Sequence, residues 1–168
     1  LTFWDINSIA EPQARYTIPF QYFDMSADLS RFAIYHNKQV KVYDTHSGET
    51  LFEHDFDLGG LARVKLGPRG QYAVTGRLYH STIQFWDIDD QSLIREVEAF
   101  DGEPQKGLSV VGTDKHIYLI MVNGNDDKFE YRDMTTGERL PAPPTFNNTK
   151  IEKSVIGAQG EHLISSLT

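Results

Sequence analysis

Cysteine is absent from this sequence of 168 residues, which excludes disulfides, thiolate metal sites and a cysteine nucleophile in this stretch. Long apolar runs are also missing: no segment approaches the roughly 20 residues that a membrane-spanning helix needs, and the start shows no signal-peptide pattern. Bases are scarce, since 16 Lys and Arg stand against 24 Asp and Glu and the formal net charge is −8. Binding a phosphate backbone requires clustered bases. These absences argue against a membrane or a nucleic acid as the main partner. They favour a cytoplasmic protein, with the nucleus as the alternative compartment.

The residues that are present suit one folded domain built from strands. Hydrophobic residues make up 39% of the chain and charged residues 24%, and ten Phe, eight Tyr and two Trp can supply a core. Apolar residues alternate with polar ones at period two, as in Phe32 and Ile34 and again in Val40 and Val42. A sustained helical period is missing throughout the sequence. The pattern therefore predicts an all-β protein.

One short element recurs along the chain: a few alternating apolar residues, a bulky and usually aromatic residue, and then Asp. Its copies are separated by about 39 to 46 residues, and a turn sequence follows each of the last three. The copies are Phe3-Trp4-Asp5, Val42-Tyr43-Asp44, Phe85-Trp86-Asp87 and Tyr131-Arg132-Asp133.

A second set of turns keeps the same spacing independently, each turn lying between two short apolar strands. These turns begin at Ser26, Gly67, Gly112 and Gly157. Two markers with one period predict units of four short strands, labelled a to d, with the Asp at the end of strand c. The predicted complete units span 20–56, 57–100 and 101–146, while 1–19 hold strands c and d of a preceding unit and 147–168 hold strands a and b of a following one.

Units of this kind resemble the WD-repeat β-propeller family, in which a Trp-Asp pair closes the third strand of each four-stranded blade. The literal pairs are Trp4-Asp5 and Trp86-Asp87, and Tyr43-Asp44 is a common variant. The resemblance implies an all-β propeller of about four antiparallel blades, an excerpt of a larger ring of seven blades or a similar number. It also implies structural roles for the aromatic residues between blades and for the Asp residues in turns. These structural candidates are Trp4, Asp5, Tyr43, Asp44, Thr75, Trp86, Asp87 and Asp133.

The repeats also depart from the family pattern. The Gly-His pair that usually opens a repeat is absent, and Asn37-Lys38 and Tyr79-His80-Ser81 replace the Asp of the b-to-c turn. Arg132 stands where unit 101–146 should carry Trp. The family's hydrogen-bond tetrad is therefore incomplete, although Thr75 and Trp86 could keep part of it. The complementary half units at the two ends leave a second arrangement open, in which they join as one composite blade and close a ring of four.

Signs of catalysis, metal binding or a cofactor are weak. None of the six His has the spacing of a zinc helix, and the acidic stretch 123–127 lacks the alternating ligands of a calcium loop. An enzyme site in a central pocket would need His, Asp or Glu at the start of strand a. Those starts are Phe20-Gln21-Tyr22, Leu61-Ala62-Arg63 and Leu108-Ser109-Val110. We therefore expect no enzyme activity and no cofactor.

Charge is more informative, because d-to-a and b-to-c loops share one face of a propeller and can vary without disturbing the blades. An acidic loop face would attract a basic protein or peptide. The alternative, that the charge only keeps the loops soluble, stays open. The partner-binding candidates are Arg77, Tyr79, His80, Asp101, Glu103, Asp126 and Asp127. A protein-interaction scaffold is the favoured function, and a regulatory or sensor module of a large multidomain signalling protein is the alternative.

Overall fold

The structure, a computed structural model, is made of short antiparallel strands. It describes residues 2–5, 13–56, 62–77, 80–102, 105–112, 117–123, 129–141, 151–156 and 163–167. The first strands are β1 (Thr2–Asp5), β2 (Gln13–Thr17), β3 (Tyr22–Met25), β4 (Arg31–His36), β5 (Gln39–Asp44), β6 (Thr50–Asp55), β7 (Ala62–Leu66) and β8 (Tyr72–Arg77). The later ones are β9 (Thr82–Asp87), β10 (Ser92–Glu98), β11 (Gln105–Gly112), β12 (Ile117–Asn123), β13 (Phe129–Asp133), β14 (Arg139–Leu140), β15 (Ile151–Ile156) and β16 (Leu163–Leu167). A single 3-10 turn, Ala99–Gly102, is the one helical element of the described residues.

Twelve of these strands form three four-stranded sheets in which each strand pairs with the next in sequence. We name them blade I (β3 to β6), blade II (β7 to β10) and blade III (β11 to β14). The predicted third strands 39–44 and 82–87 are β5 and β9, which lie in different sheets, so the all-β prediction of four-stranded antiparallel sheets is confirmed. The end segments form two separate two-stranded sheets, β1–β2 and β15–β16. The composite blade that would join them is not formed by these described strands.

Burial of both sheet faces explains why each central strand is so apolar. In β4 the four inner residues, Phe32 to Tyr35, are all buried, as expected for a sheet covered on two sides. The hairpin from β4 to β5 turns through Asn37 and Lys38, whose φ angles are 48° and 66°. Two successive positive φ angles match the tight hairpin turn whose twist suits antiparallel strands.

The Asp that ends each third strand closes the turn that follows it. Asp44 Oδ1 accepts hydrogen bonds from the amides of His46 (2.9 Å) and Ser47 (2.7 Å). Asp133 Oδ1 makes the same bonds to the amides of Thr135 (2.7 Å) and Thr136 (3.1 Å). These donated hydrogen bonds, led by those of Ser47, lower the pKa of Asp44 below its ordinary value.

The Asp of blade II closes a related turn with fewer bonds. Asp87 Oδ1 accepts from the amide of Asp90 at 3.0 Å. Of Trp4 and Asp5 the structure describes the backbone alone, paired in β1 with Ala14 and Gln13.

Blades I and II bury their facing surfaces in one apolar cluster. Blade I contributes residues from β4, β5 and β6, and blade II contributes residues from β7, β8 and β9. Trp86 on β9 lies against blade I, with its ring centroid 5.4 Å from Phe52 and 4.3 Å from His54. Its indole Nε1 donates a buried 3.0 Å hydrogen bond to Thr75 Oγ1 on the neighbouring strand of its own blade. Trp86 thus joins the two blades and binds β8 to β9.

Tyr43, which holds the same position in β5 as Trp86 in β9, packs in a different way. Its ring stacks on Phe32 with centroids 4.9 Å apart and planes 11° apart. Burial raises the pKa of its hydroxyl.

The opposite face of blade II forms a second cluster with blade III, and here an arginine replaces the tryptophan. Phe85 and Ile83 are buried with Met134 of blade III. Arg132 occupies the position of Trp86 in β13 and donates from Nη2 to the carbonyl of Glu98, at the end of blade II, at 3.1 Å. Its Nε donates to the buried Glu130 carboxylate at 2.6 Å. The inter-blade contact made by packing in blade II is therefore made by charged hydrogen bonds in blade III.

Polar bonds also cross directly between blades I and II. Asp24 on β3 pairs with Lys65 on β7 at 2.8 Å and accepts from the Leu66 amide at 2.8 Å. Burial opposes the charge of Lys65, but the Asp24 carboxylate outweighs it, so the pKa of Lys65 lies above its ordinary value.

A second crossing bond lies nearby, between the turns of the two blades. Arg31 Nη1 pairs with Asp89 Oδ1 at 2.7 Å and donates to the Gly70 carbonyl at 3.3 Å. Gly70 has φ +68° and approaches so closely that a Cβ there would lie 2.7 Å from Arg31 Cβ. The bridge therefore requires glycine at this turn.

The residues that the structure describes include no helix that is long and apolar enough to span a bilayer.

Replacing Trp86 with Ala should lower the free energy of unfolding by about 3–5 kcal/mol, because it opens a cavity between blades and removes the donor to Thr75. Leu93, which is 46% exposed on β10, is the matched control. Leu93→Ala should change stability by less than about 0.5 kcal/mol. Denaturant titration of both variants measures the difference. A Trp86→Ala protein that unfolds at the parent's midpoint would contradict the inter-blade role of the ring.

Candidate interaction surface

The blades have two ends that differ in their connections. One end, which we call the loop face, carries the b-to-c and d-to-a connections, including Asn37-Lys38 and the described residues Arg77, His80 and Ser81. The other, the turn face, carries the a-to-b and c-to-d turns, including Ser26–Ser30 and Ile88–Gln91. Residues on either face project from strands that are fixed by the blade cores.

The loop edge of blade I is tied together by hydrogen bonds. The amide of Gln21 donates to the carbonyl of Tyr35 (2.9 Å), and its side-chain Oε1 accepts from the amide of Asn37 (3.3 Å). Gln39 Nε2 donates to Asp55 Oδ1 at 2.7 Å, which joins the third strand to the fourth. The start of β3, the b-to-c turn and the end of β6 therefore hold one another in place.

Two phenylalanine rings are exposed at this edge. Phe20 is 39% exposed and Phe23 is 41% exposed, although residues of this size usually lie in a core. Their ring centroids are 5.2 Å apart and their planes are nearly perpendicular, at 89°. This edge-to-face geometry is a favourable one for aromatic pairs. Phe23 belongs to the face of β3 opposite to Asp24, which is the face turned away from blade II. Phe20, held edge to face by Phe23, is therefore the aromatic contact point of this loop edge.

The aromatic contact continues towards blade II through Tyr22. The guanidinium carbon of Arg63 lies 5.4 Å from the centre of the Tyr22 ring, and Lys65 Nζ lies 5.8 Å from it. Both distances suit cation–π attraction. Tyr22 thus links β3 to β7, the inner strand of the next blade.

The predicted partner-binding residues are described only in part. Arg77 ends β8 and is half-buried, and the exposed His80 donates from its amide to the carbonyl of Arg77 at 3.2 Å. The backbone of Asp101 lies in the 3-10 turn after β10. Tyr79, Glu103, Asp126 and Asp127 lie outside the described residues. The structure brings Arg77 and His80 together, and the acidic cluster stays a prediction.

Sequence reasoning missed the pair Phe20 and Phe23. The start of strand a, Phe20-Gln21-Tyr22, enters the sequence analysis only as a possible source of catalytic His, Asp or Glu side chains, and it contains none of these. A detectable signal was present: Phe20, Tyr22 and Phe23 put three aromatic residues within four positions at the start of strand a.

His54 lies near the loop face, where blade I meets blade II. Its ring is 4.3 Å from Trp86 and 4.9 Å, edge to face, from Phe56. Burial lowers the pKa of His54 below 6.5, and the charge of the neighbouring Asp55 opposes that shift without cancelling it. The neutral imidazole is therefore the form that the folded chain prefers.

The exposed side chains of this edge offer surfaces for contact. In the described ranges, no group of three His, Asp or Glu side chains is placed to hold a metal ion. The features that are present are exposed aromatic rings, fixed backbone and a few charged groups at the rim.

Comparison with known proteins shows the fold. No protein-family model matches the sequence, and no curated protein matches it. The structure is similar to the β-propeller domain of Myceliophteria thermophila Cps50 (Swd1), with a TM-score of 0.62, 16% identity, and coverage of 92% of this chain and 53% of that one. It is also similar to Kluyvelomyces marxianus Hsv2, with a TM-score of 0.54, 14% identity, and coverage of 75% and 39%. The chain has a β-propeller fold and spans about half of one neighbour and less of the other.

Acidification should destabilise the protein partly through His54. Its folded-state pKa is depressed, so as the pH falls through 6.5 the unfolded chain binds this proton more readily than the folded chain does, and the free energy of unfolding falls. His54→Phe keeps an aromatic ring against Trp86 and removes this proton. Denaturant titrations at pH 7.5 and 5.5 should show a smaller loss of stability on acidification in the variant than in the parent. Equal losses would show that His54 does not carry this pH dependence.

Proposed function

We propose that this chain is a divergent WD-repeat part of a propeller that binds other proteins or peptides through its loop face and catalyses no reaction. The observation that carries this proposal is the ring of Phe20, which is exposed at the hydrogen-bonded loop edge of blade I and held edge to face by Phe23. The similarity to propeller structures concerns the fold, and this surface is what supports the proposed function.

The physical case starts from the cost of leaving aromatic rings in water. Each exposed ring forgoes the transfer free energy that burial would give, about 25 cal/mol per Å² of apolar surface. A partner that covers both rings recovers it. Aromatic residues are the side chains that most often act as interface anchors, and they lose little conformational entropy on binding when they are already packed on each other.

Rigidity adds to the case. The bonds of Gln21 to Tyr35 and Asn37 fix the backbone on which Phe20 stands, and the Tyr22–Arg63 contact braces β3 against blade II. A preordered surface costs less entropy to bind, so more of the contact energy is available for affinity. The same edge carries few groups that could act on a substrate.

Charge indicates the kind of partner. The whole chain has a net charge of −8, and the predicted loop-face acids are Asp101, Glu103, Asp126 and Asp127. A basic protein or peptide would be steered towards such a surface. We place the protein in the cytoplasm, in keeping with a chain that has no cysteine.

Loss of the aromatic pair should weaken partner binding. In the full-length protein, Phe20→Ser with Phe23→Ser removes both anchors, and Leu93→Ser, on the outer strand β10, removes an equally exposed apolar side chain elsewhere. Each variant is immobilised and exposed to a cell lysate. Proteins that bind to the parent and to Leu93→Ser but not to the double variant are candidate partners. With one of them purified, we expect the double variant to raise the dissociation constant roughly ten- to a hundredfold. An unchanged dissociation constant would place the partner surface elsewhere.

Acidic steering should appear in the association rate. With the same purified partner, the on-rate of the parent should fall as ionic strength rises. A variant with Asp101→Asn, Glu103→Gln, Asp126→Asn and Asp127→Asn should bind more slowly at low salt and respond less to added salt. If the two proteins show the same rates at every salt concentration, the acids serve solubility only.

A further inference from the structure

The a-to-b turn of blade I displays a leucine in an unfavourable conformation. Leu29 has φ 61° and is 62% exposed, the largest exposure among the large hydrophobic residues that the structure describes. The left-handed region suits Gly, Asn and Asp, and a branched apolar side chain there costs about 1 kcal/mol or more. The other described non-glycine residues with positive φ are Asn37, Lys38 and Gln91, all of them polar.

Among the residues that the structure describes, burial does not repay this cost to Leu29. An apolar side chain in a strained backbone is usually compensated by burial, and most of this one lies in water. A polar residue at the same site would satisfy both the turn and the solvent. The side chain therefore has the features of a group kept for an external contact.

The turn that carries Leu29 is held by hydrogen bonds on both sides. The amide of Leu29 donates to the carbonyl of Ser26 (2.9 Å). Asp28 Oδ1 accepts from Ser26 Oγ (2.7 Å), from the Ser30 amide (3.0 Å) and from Ser30 Oγ (2.8 Å). The tip is thus fixed before any partner arrives, which lowers the entropic cost of using it as an anchor.

Neighbouring turns extend this surface across two blades. The amide of Asp28 donates to the carbonyl of Pro68 in blade II at 3.1 Å, and the amide of Thr45 donates to the carbonyl of Ser30 at 2.9 Å. Arg31, which follows the turn, pairs with Asp89 of blade II. The turn of Leu29 is therefore continuous with the a-to-b turn of blade II and with both c-to-d turns.

Acidic groups dominate the charge of these joined turns. The described carboxylates on them are Asp28, Asp44, Glu49, Asp87, Asp89 and Asp90, and the described cationic side chains are Arg31 and Arg69. Arg31 is already committed to Asp89. Burial acts to raise the pKa of Asp28, but hydrogen bonds from Ser30 and Ser26 outweigh it and lower that pKa, so Asp28 keeps its charge. An apolar tip in an acidic field suits a partner of basic charge with an apolar centre.

We propose that the turn face of blade I is a second docking surface, in which Leu29 inserts into the apolar stripe of a basic amphipathic helix on a partner protein. Such a helix presents apolar side chains between which a single knob fits, bordered by Lys and Arg that face the carboxylates. This surface lies at the opposite end of the blades from Phe20 and Phe23, and it does not depend on the function proposed for the loop face.

The test uses a dye-labelled 14-residue peptide that repeats Leu-Lys-Lys-Leu-Leu-Lys-Leu, followed by fluorescence anisotropy on the full-length protein. Leu29→Asn is the informative variant, because Asn tolerates the left-handed conformation and lacks the apolar tip. We expect its thermal midpoint to equal or exceed that of the parent while its dissociation constant for the peptide rises about tenfold. Leu93→Asn is the matched control and should bind like the parent.

Three results would overturn the proposal. Equal affinity of Leu29→Asn and the parent would mean that Leu29 makes no contact with the helix. Equal binding of a peptide with Glu in place of every Lys would remove the charge argument. A loss of binding in Phe20→Ser with Phe23→Ser, with Leu29→Asn unaffected, would assign the helix to the loop face, so the two surfaces are distinguished in one series.

Discussion

The packing of one sheet face on the next is the interaction on which this molecule depends. A four-stranded antiparallel sheet with apolar residues on both faces cannot be stable alone in water, since each face must be covered. Blade II meets this requirement with two neighbouring residues of β9: Trp86 faces Phe52 and His54 of blade I, and Phe85 faces Met134 of blade III. The alternation of a single strand therefore connects three sheets, and the loops and turns are positioned by that connection.

The inter-blade contact tolerates a change of chemistry. Arg132 stands at the position of Trp86 and reaches the preceding blade through the carbonyl of Glu98, with Glu130 balancing its charge. A guanidinium has enough donors for these two acceptors and for the Gly137 carbonyl, to which Arg132 Nη1 donates at 2.9 Å, and it has a flat surface that packs. The geometry of the blade is kept while the sequence motif is lost. This substitution accounts for repeats that are recognisable by period and turn chemistry more than by their tryptophans.

Period and turn chemistry predicted the fold because both act locally. An Asp that closes a turn works through amides two and three residues away, as Asp44 and Asp133 show, so its role can be deduced from sequence. The contact surfaces could not be deduced in the same way. Whether Phe20 or Leu29 is exposed depends on which neighbours cover it. The positive φ of Leu29 depends on the hydrogen bonds that hold the turn from Ser26 to Ser30. The sequence indicates charged loop residues as candidates because charge can be recognised from the residue type alone. The solvent exposure of an apolar ring, in contrast, is a property of the assembled blades.

The bonds between blades I and II have a mechanical consequence. Asp24 and Lys65 join the innermost strands, and Arg31 and Asp89 join the turn ends. Gln91 Nε2, in the c-to-d turn of blade II, donates to the Leu51 carbonyl in the fourth strand of blade I at 3.1 Å. All three bonds lie at or next to the turn face, and they run from the inner strands to the outer ones. A force applied to the turns of blade I is therefore transmitted to blade II along this edge, through hydrogen bonds and ion pairs as well as through the apolar core.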